Sequence, residues 1–280
     1  MTRRRGPPRI SLAQWSLHRS IQSGEIRKLD FPLAARRDFG IEAVEFVNTL
    51  MPGSRQETLR ELRRRADGEG VSIVLVMVDD EGDLSHPNAR LRKKATRNHR
   101  KWVDAVSLLG GHAVRVNTGG ERTLSSRTQN APADSPALRS PILRCAESCA
   151  DLAEYARASG VSVLLENHGG ISANVPALVR VVETVGSDNV GTLPDFGNPT
   201  RRVDSYEAVR MMLPHAKAVS AKTFDFDENG METTIDFRRM LDLVQDVGYE
   251  GHLGIEYEGQ RLSEADGIRK SKELIERLLH

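Results

Sequence analysis

The sequence predicts an α/β protein closed into a single (β/α)8 TIM barrel. Three observations carry that expectation. Short apolar runs alternate with amphipathic helical segments from Ile10 to the C-terminus, the alternation repeats eight times, and polar side chains gather where the apolar runs end. Strands that alternate with helices make a parallel sheet with helices outside it. Eight such repeats in 280 residues suit one closed barrel, typically about 250 residues, better than an open sheet.

The basic, proline-containing segment from Met1 to Arg9 reads as a disordered tail, and residues 10–280 as the barrel. No apolar stretch follows the tail, so it is not read as a signal peptide. The first apolar run is Ile10 to His18, followed by a helix from Leu29 to Phe39 that Gly40 closes. Ala43 to Asn48 is the second strand and the charged segment Arg55 to Asp67 its helix. Val71 to Val78 is a continuous apolar run, the pattern of a strand buried on both faces, and a long helix from Asn88 to Leu109 follows. That helix carries many Arg and Lys residues, but Leu91, Ala95, Trp102, Val103 and Val106 form an apolar stripe, so the charges read as a solvated outer face. Ala113 to Asn117 is strand four, and the polar segment Thr118 to Ser135 is the longest loop, before a helix from Pro136 to Ser159. Strand five runs from Val161 into Glu166 with a helix over Val175 to Val185, and strand six is Val190 to Leu193 with its helix at Tyr206 to Leu213. Ala218 to Thr223, helix Phe237 to Val247, His252 to Tyr257 and helix Leu262 to Leu279 complete the alternation.

Composition narrows the function. Forty basic residues against 39 acidic ones give a net charge of +1, which signals no nucleic-acid partner. No run approaches the roughly 18 apolar residues of a membrane span. Cys145 and Cys149 stack on one helical face, suit packing, and offer no disulfide framework; a reducing, cytoplasmic setting is expected. No glycine-rich phosphate loop of specific spacing is seen, so no nucleotide cofactor and a non-phosphorylated substrate are expected.

The most informative stretch is Val161-Ser-Val-Leu-Leu-Glu-Asn-His-Gly-Gly170. It ends an apolar run on a carboxylate, an amide and an imidazole. Strand alternation puts Glu166 and His168 on one face and Asn167 on the other. A Glu at the end of a buried strand must be paired, ligated or chemically employed. The other strand ends add Glu45 and Asn48, Asp79, Arg115 and Asn117, Asp195, Ser220 and Lys222, and Glu256 with Glu258. In a closed barrel these converge on the C-terminal mouth. Glu166, Asp195 and Glu256 would repel one another unless a cation lies between them. Oxygen ligands suit Mg²⁺ or Mn²⁺, and an added imidazole shifts preference towards Mn²⁺, Co²⁺ or Zn²⁺. Arg115 and Lys222 offer a second way to neutralise the carboxylates, without metal.

Four segments resemble the xylose isomerase-like TIM barrels, a superfamily of sugar isomerases, ketose 3-epimerases, inosose dehydratase and abasic-site endonucleases. They are LLENHGG at Glu166, GTLPDFGNP at Asp195, AKAVSAKTFDFDENG around Ser220 and GYEGHLGIEYEG at Glu256. Segments such as ISLAQWSLHRS and FGIEAVEFVN are most like bacterial sugar phosphate isomerase/epimerase-type proteins. The resemblance implies a divalent metal held by Glu166, Asp195 and Glu256, with a His at the fourth position. That position is Ser220 here, and the usual Asp-x-x-His reads Asp195-Phe-Gly-Asn198. His168 is a possible replacement ligand. The missing histidines also argue against the endonuclease members.

The expected reaction is proton transfer next to the carbonyl of a sugar or keto-sugar, through an enediolate. Glu166 and Glu256, on opposite sides of the mouth, serve as the acid/base pair the resemblance implies, and Lys222 and Arg115 face the developing oxyanion. His168, Arg115, Asn117 and Asn198 are expected to bind substrate, with Trp15 and Phe196 against the sugar ring. The alternatives are a dehydratase, hydratase or keto-glycoside lyase on the same fold, and a sugar-binding protein without catalysis. A homo-oligomer is possible, since relatives of this fold are often dimers or tetramers.

Overall fold

A computed structural model of the chain describes residues 6–120 and 123–279. The eight strands are β1 (Arg9–Ala13), β2 (Ala43–Val47), β3 (Ser72–Val78), β4 (Ala113–Val116), β5 (Ser162–Glu166), β6 (Val190–Leu193), β7 (Val219–Thr223) and β8 (His252–Tyr257). The helices that follow them are α1 (Phe31–Phe39), α2 (Gln56–Gly68), α3 (Ala89–Leu109), α4 (Pro136–Arg157), α5 (Val175–Val185), α6 (Ser205–Met212), α7 (Phe237–Asp246) and α8 (Glu264–Leu279). All strand pairs are parallel, in the order β6-β5-β4-β3-β2-β1-β8-β7. The ring closes between β6 and β7 through single bridges at Thr192–Ala216 and Asp195–Ser220. Lys217 N donates to Thr192 O at 3.1 Å, Ser220 N to Pro194 O at 3.0 Å, and Phe196 N to Ser220 O at 3.1 Å. The expected (β/α)8 barrel is the fold.

The apolar runs became strands because both their faces are covered. Val44, Phe46, Val76, Val114, Val163 and Leu165 are fully buried between the ring and the helices. Helix starts follow local chemistry: Asn88, Asn174, Asp204 and Asp236 each accept a backbone N–H of the first turn through the side chain.

Four expectations changed. The first run does not continue to His18; β1 stops at Ala13 and the chain turns through a 3-10 segment, Gln14–Leu17, into a short helix, His18–Ser23. Gln14 fixes that turn by accepting from Val47 N at 3.1 Å. Of the tail expected over residues 1–9, residues 1–5 lie outside the described residues, while Arg9 is part of β1 and pairs with His252. The long loop contains one helical turn, Ser126–Gln129, and its residues 121–122 lie outside the described residues. Leu91, expected in the apolar stripe of α3, is 48% exposed; its neighbours Ala89 and Arg90 in the first turn are exposed too, and burial begins only at Arg92. Cys145 and Cys149 are free and buried on α4. Among the described residues no helix is long and apolar enough to cross a membrane.

Asn167 braces the sheet just above β5. Its Nδ2 donates to Asp195 O at 3.0 Å, and Asp195 N donates to its Oδ1 at 2.8 Å, continuing the β5–β6 ladder with a side chain. Leucine there would strand a buried N–H and C=O, at a cost of about 2–4 kcal/mol. Asn167→Leu should therefore lower the melting temperature by roughly 5–10 °C in a thermal denaturation scan. An unchanged transition would show that the brace carries no weight.

Candidate active site

The interior of the ring is polar towards its upper end. Ser11 Oγ donates to Glu45 Oε1 at 2.6 Å across β1 and β2. A Cβ on Gly254 of β8 would fall 2.6 Å from Glu45 Oε2, so glycine leaves room for that carboxyl. One layer up, Ser220 Oγ donates to Glu256 Oε2 at 2.9 Å. The strand ends thus aim their functional groups at a common point, as the barrel geometry requires.

Glu166, Asp195 and Glu256 meet there. Each is buried, and each brings an oxygen to within 4.8 Å of the other two. Asp195 Oδ1 accepts from the backbone N–H of Gly197 (2.9 Å) and Asn198 (2.6 Å), which turns Oδ2 inward. Glu166 Oε1 accepts from Asn198 Nδ2 at 3.2 Å. Asp195 Oδ2 and Glu166 Oε2 are buried and accept no hydrogen bond.

Two side chains place positive charge against this group. Arg115 Nε lies 2.9 Å from Glu166 Oε2, as an ion pair without hydrogen-bond alignment. Its Nη1 donates to Asp79 Oδ1 at 2.7 Å and to Asn117 Oδ1 at 3.1 Å, and Asn117 Nδ2 donates to Asp79 Oδ1 at 2.7 Å. Lys222 Nζ donates to Asn198 Oδ1 at 2.8 Å and Glu258 Oε1 at 3.3 Å, and stands 3.8 Å from both Asp195 Oδ2 and Glu256 Oε2.

Burial is the main influence on the protonation of Glu166 and Asp195. Burial pushes Glu166 up to about 8, against the pull of Arg115 and with Asp195 and Glu256 adding to the rise. Burial likewise takes Asp195 to about 6, against Lys222. Desolvation lowers the basicity of Lys222 and Arg115, but their carboxylate neighbours outweigh it and both are raised. Seclusion in the mouth, then the charge on Arg115, hold His168 below its usual range.

The cluster borders a cavity of about 1020 Å³ at the barrel mouth. Trp15, Asn117, His168, Lys222, Glu256 and Glu258 all line it. Asp83 ties its β3 and β4 loops together. Its Oδ2 accepts from Gly120 N and Thr123 Oγ1, both at 3.0 Å, and its Oδ1 from Ser85 N at 2.7 Å.

Two expectations about this site change. His168 does not join the carboxylates, because β5 ends at Glu166 and strand alternation ends with it. The chain turns there, with His168 N donating to Glu166 O at 2.9 Å, and the ring goes to the cavity wall. Phe196 is fully buried edge-on against Phe237 (centroids 5.6 Å apart), so it packs the core and offers no face to a ligand. The structure adds three groups to which the sequence pattern gave no role. Asp79 and Glu258 anchor the two cations, and Asp83 holds the loop wall. The first two stand at strand ends, where their position was a signal; nothing in the periodicity around Asp83 marks it.

A family model described as xylose isomerase-like TIM barrel matches residues 33–278. The chain belongs to that family. An uncharacterized protein of Methanocaldococcus jannaschii is 24% identical to this xylose isomerase-like chain over 232 residues, 79% of the chain and 73% of that protein. Among solved structures, L-ribulose 3-epimerase superposes with a TM-score of 0.75 at 18% identity, over 97% of this chain and 94% of that one. A xylose isomerase-like TIM barrel protein from Mycobacterium smegmatis, in complex with magnesium, gives a TM-score of 0.65 at 19% identity, over 88% and 86%. These likenesses establish the fold.

Glu45 gives the barrel a pH dependence of its own. Burial, partly offset by the Ser11 hydrogen bond, raises its carboxyl from 4.5 to about 7. Between those values the folded chain holds a proton that the unfolded chain releases. The stability this contributes is full below about pH 4.5 and is lost as pH rises through 7. Glu45→Gln should make the decline in melting temperature from pH 5 to pH 8 shallower than in the unaltered protein; parallel declines would refute the assignment.

Proposed function

We propose that this chain is a divalent-metal-assisted isomerase or epimerase that moves a proton at the carbon beside the carbonyl of a sugar or keto-sugar. The observation that carries the reading is the convergence of Glu166, Asp195 and Glu256 at the edge of a large cavity, with two of their oxygens buried and free of hydrogen bonds. That donor set fits a metal. It is all carboxylate oxygen, which suits Mg²⁺ or Mn²⁺ ahead of Co²⁺ or Zn²⁺. Ser220 spends its hydroxyl on Glu256 and serves to orient that carboxylate rather than to add a ligand. When bound, the ion supplies Lewis-acid stabilisation of negative charge on substrate oxygens.

The chain's own groups do the rest. Glu166 and Glu256 are the acid/base pair, the first aimed by Asn198 and the second by Ser220. One takes the proton from carbon and the other returns one, giving inversion when the two act on opposite faces. Lys222 faces the oxygen on which charge develops, in a site already arranged before the reaction begins. Asn117 and His168 reach the cavity and bind hydroxyls, while Asp79 holds Arg115 against Glu166. Sugar epimerases among the solved structures of this fold support the same class.

Two experiments test this. Protein dialysed against Mn²⁺ should retain near-stoichiometric metal in elemental analysis, and Glu256→Ala should lose it; a wild-type site that stays empty on titration would sink the metal model. In D₂O with manganese and a panel of ketoses, NMR should show deuterium entering the carbon next to the carbonyl. Glu166→Gln should slow that exchange by about 10²–10⁴-fold. An unsaturated product in place of labelled sugar would move the assignment to a dehydratase or lyase, and undiminished exchange in the variant would remove Glu166 from the chemistry.

A further inference from the structure

The reacting groups occupy one side of the mouth, and most of the cavity lies elsewhere. Glu166, Asp195 and Glu256 come from β5, β6 and β8. The cavity wall, in contrast, is built largely from the loops after β1, β2, β3 and β4. Its volume of about 1020 Å³ is at the top of the range of roughly 300–1,000 Å³ for pockets that enclose drug-sized ligands. A single hexose held at the carboxylates would leave the β1–β2 side of that space to water.

That side is furnished for a ligand. Trp15 is half-buried on the cavity wall, next to the buried side chains of Ile21 and Leu50. Its indole is backed by His18, stacked with ring centroids 4.8 Å apart and planes 12° apart. His18 Nδ1 is 2.7 Å from Trp15 O; a carbonyl only accepts, so that nitrogen carries the proton. The same Nδ1 lies 3.5 Å from Glu264 Oε1. Glu264 is buried at the start of α8 and also accepts from Arg19 N (2.7 Å), Ser20 N (3.0 Å) and Ser20 Oγ (2.7 Å). A buried carboxylate thus fixes the short helix after β1, and with it His18, which covers one face of the tryptophan and is not itself part of the cavity wall. Gln22, Lys28 and Thr49 are exposed on the same wall and can bond hydroxyls. An apolar platform rimmed by polar groups is the arrangement that holds an amphipathic ring.

We infer that this half of the cavity is a second sugar-ring subsite, and that the substrate is a glycosylated keto-sugar whose outer ring stacks on Trp15. The inference rests on the sugar reading above and names the size and shape of the substrate within it. Trp15 binds the outer ring; Glu264 and His18 are positioning residues that hold Trp15 in place.

The test compares D-fructose with three of its glucosylated forms, turanose, maltulose and isomaltulose, which carry the glucose on different oxygens. Binding is followed by isothermal titration calorimetry with manganese present, and by tryptophan emission. Trp102 is buried, hydrogen-bonded to Glu81, and not part of the cavity wall, so a ligand-induced emission change reports Trp15. At least one disaccharide should bind about tenfold more tightly than fructose, in keeping with one aromatic stacking contact. Trp15→Ala should erase that difference and the emission change, and Trp15→Phe should retain most of the difference. If fructose binds as tightly as every disaccharide, or if Trp15→Ala leaves the advantage intact or weakens fructose by the same factor, the subsite is overturned while the sugar reading stands. If neither fructose nor any disaccharide binds, the sugar reading itself fails and takes this inference with it.

Discussion

Everything at the mouth of this barrel follows from holding three carboxylates together away from water. Burial raises the proton affinity of Glu166 and Asp195, and the neighbouring like charges add to the effect. The protein answers with Arg115 against Glu166 and Lys222 between Asp195 and Glu256. Each cation is itself buried and needs its own anchor, which is the role of Asp79 for the first and of Glu258 and Asn198 for the second. The result is an interlocked network in which a change of charge at one position is felt at all the others. Two carboxylate oxygens still go without hydrogen bonds inside it. Buried polar atoms are rarely left in that state without a functional reason.

The network is also part of how the barrel closes. The seam between β6 and β7 rests on isolated bridges, and one of these joins Asp195 to Ser220. The residue that presents an inward carboxylate oxygen and the residue that orients Glu256 are therefore partners in the sheet. Asn167 extends the neighbouring β5–β6 ladder to the same Asp195. Scaffold and site share residues at this seam, so the positions of the carboxylates are set by strand pairing and not by flexible loops. Such support is what keeps a constellation of like charges in a fixed geometry.

Much of this was legible in the sequence, for identifiable reasons. Continuous apolar runs such as 72–78 can only be strands covered on both faces, and the charged helices between them show their outer sides plainly. A carboxylate that ends an apolar run is conspicuous, and Glu166, Asp195 and Glu256 do meet. What failed lay just past the strand ends. Alternation places a side chain only while the strand continues, so it misjudged His168, two residues after Glu166, once the chain turned there. The run after Ile10 keeps its apolar character through Leu17, yet β1 stops at Ala13 because Gln14 is drawn to the backbone of β2. Phe196 beside Asp195 looked available to a ligand, but Phe237 of α7, far away in sequence, covers it. The Asp83 clasp joins two loops 37 residues apart, and no local pattern encodes such a contact.

On the metal-assisted reading proposed above, the serine at position 220 bears on which ion such a site would prefer. An imidazole there would add a borderline-soft nitrogen donor and favour Zn²⁺ or Co²⁺. A hydroxyl already donating to Glu256 adds no such donor, and His168, the nearest histidine in sequence to a ligand, is turned to the cavity wall. The remaining candidate donors are carboxylate oxygens, which would favour hard ions that keep several waters or substrate oxygens in their shell. Lys222 also lines the cavity, its charge held by Asp195, Glu256 and Glu258. A site with one fewer strong protein ligand and two fixed cations places more of the electrostatic work on the chain itself. On that reading, serine where the family resemblance implies histidine would shift the balance between ion and protein while keeping the carboxylate geometry on which both depend.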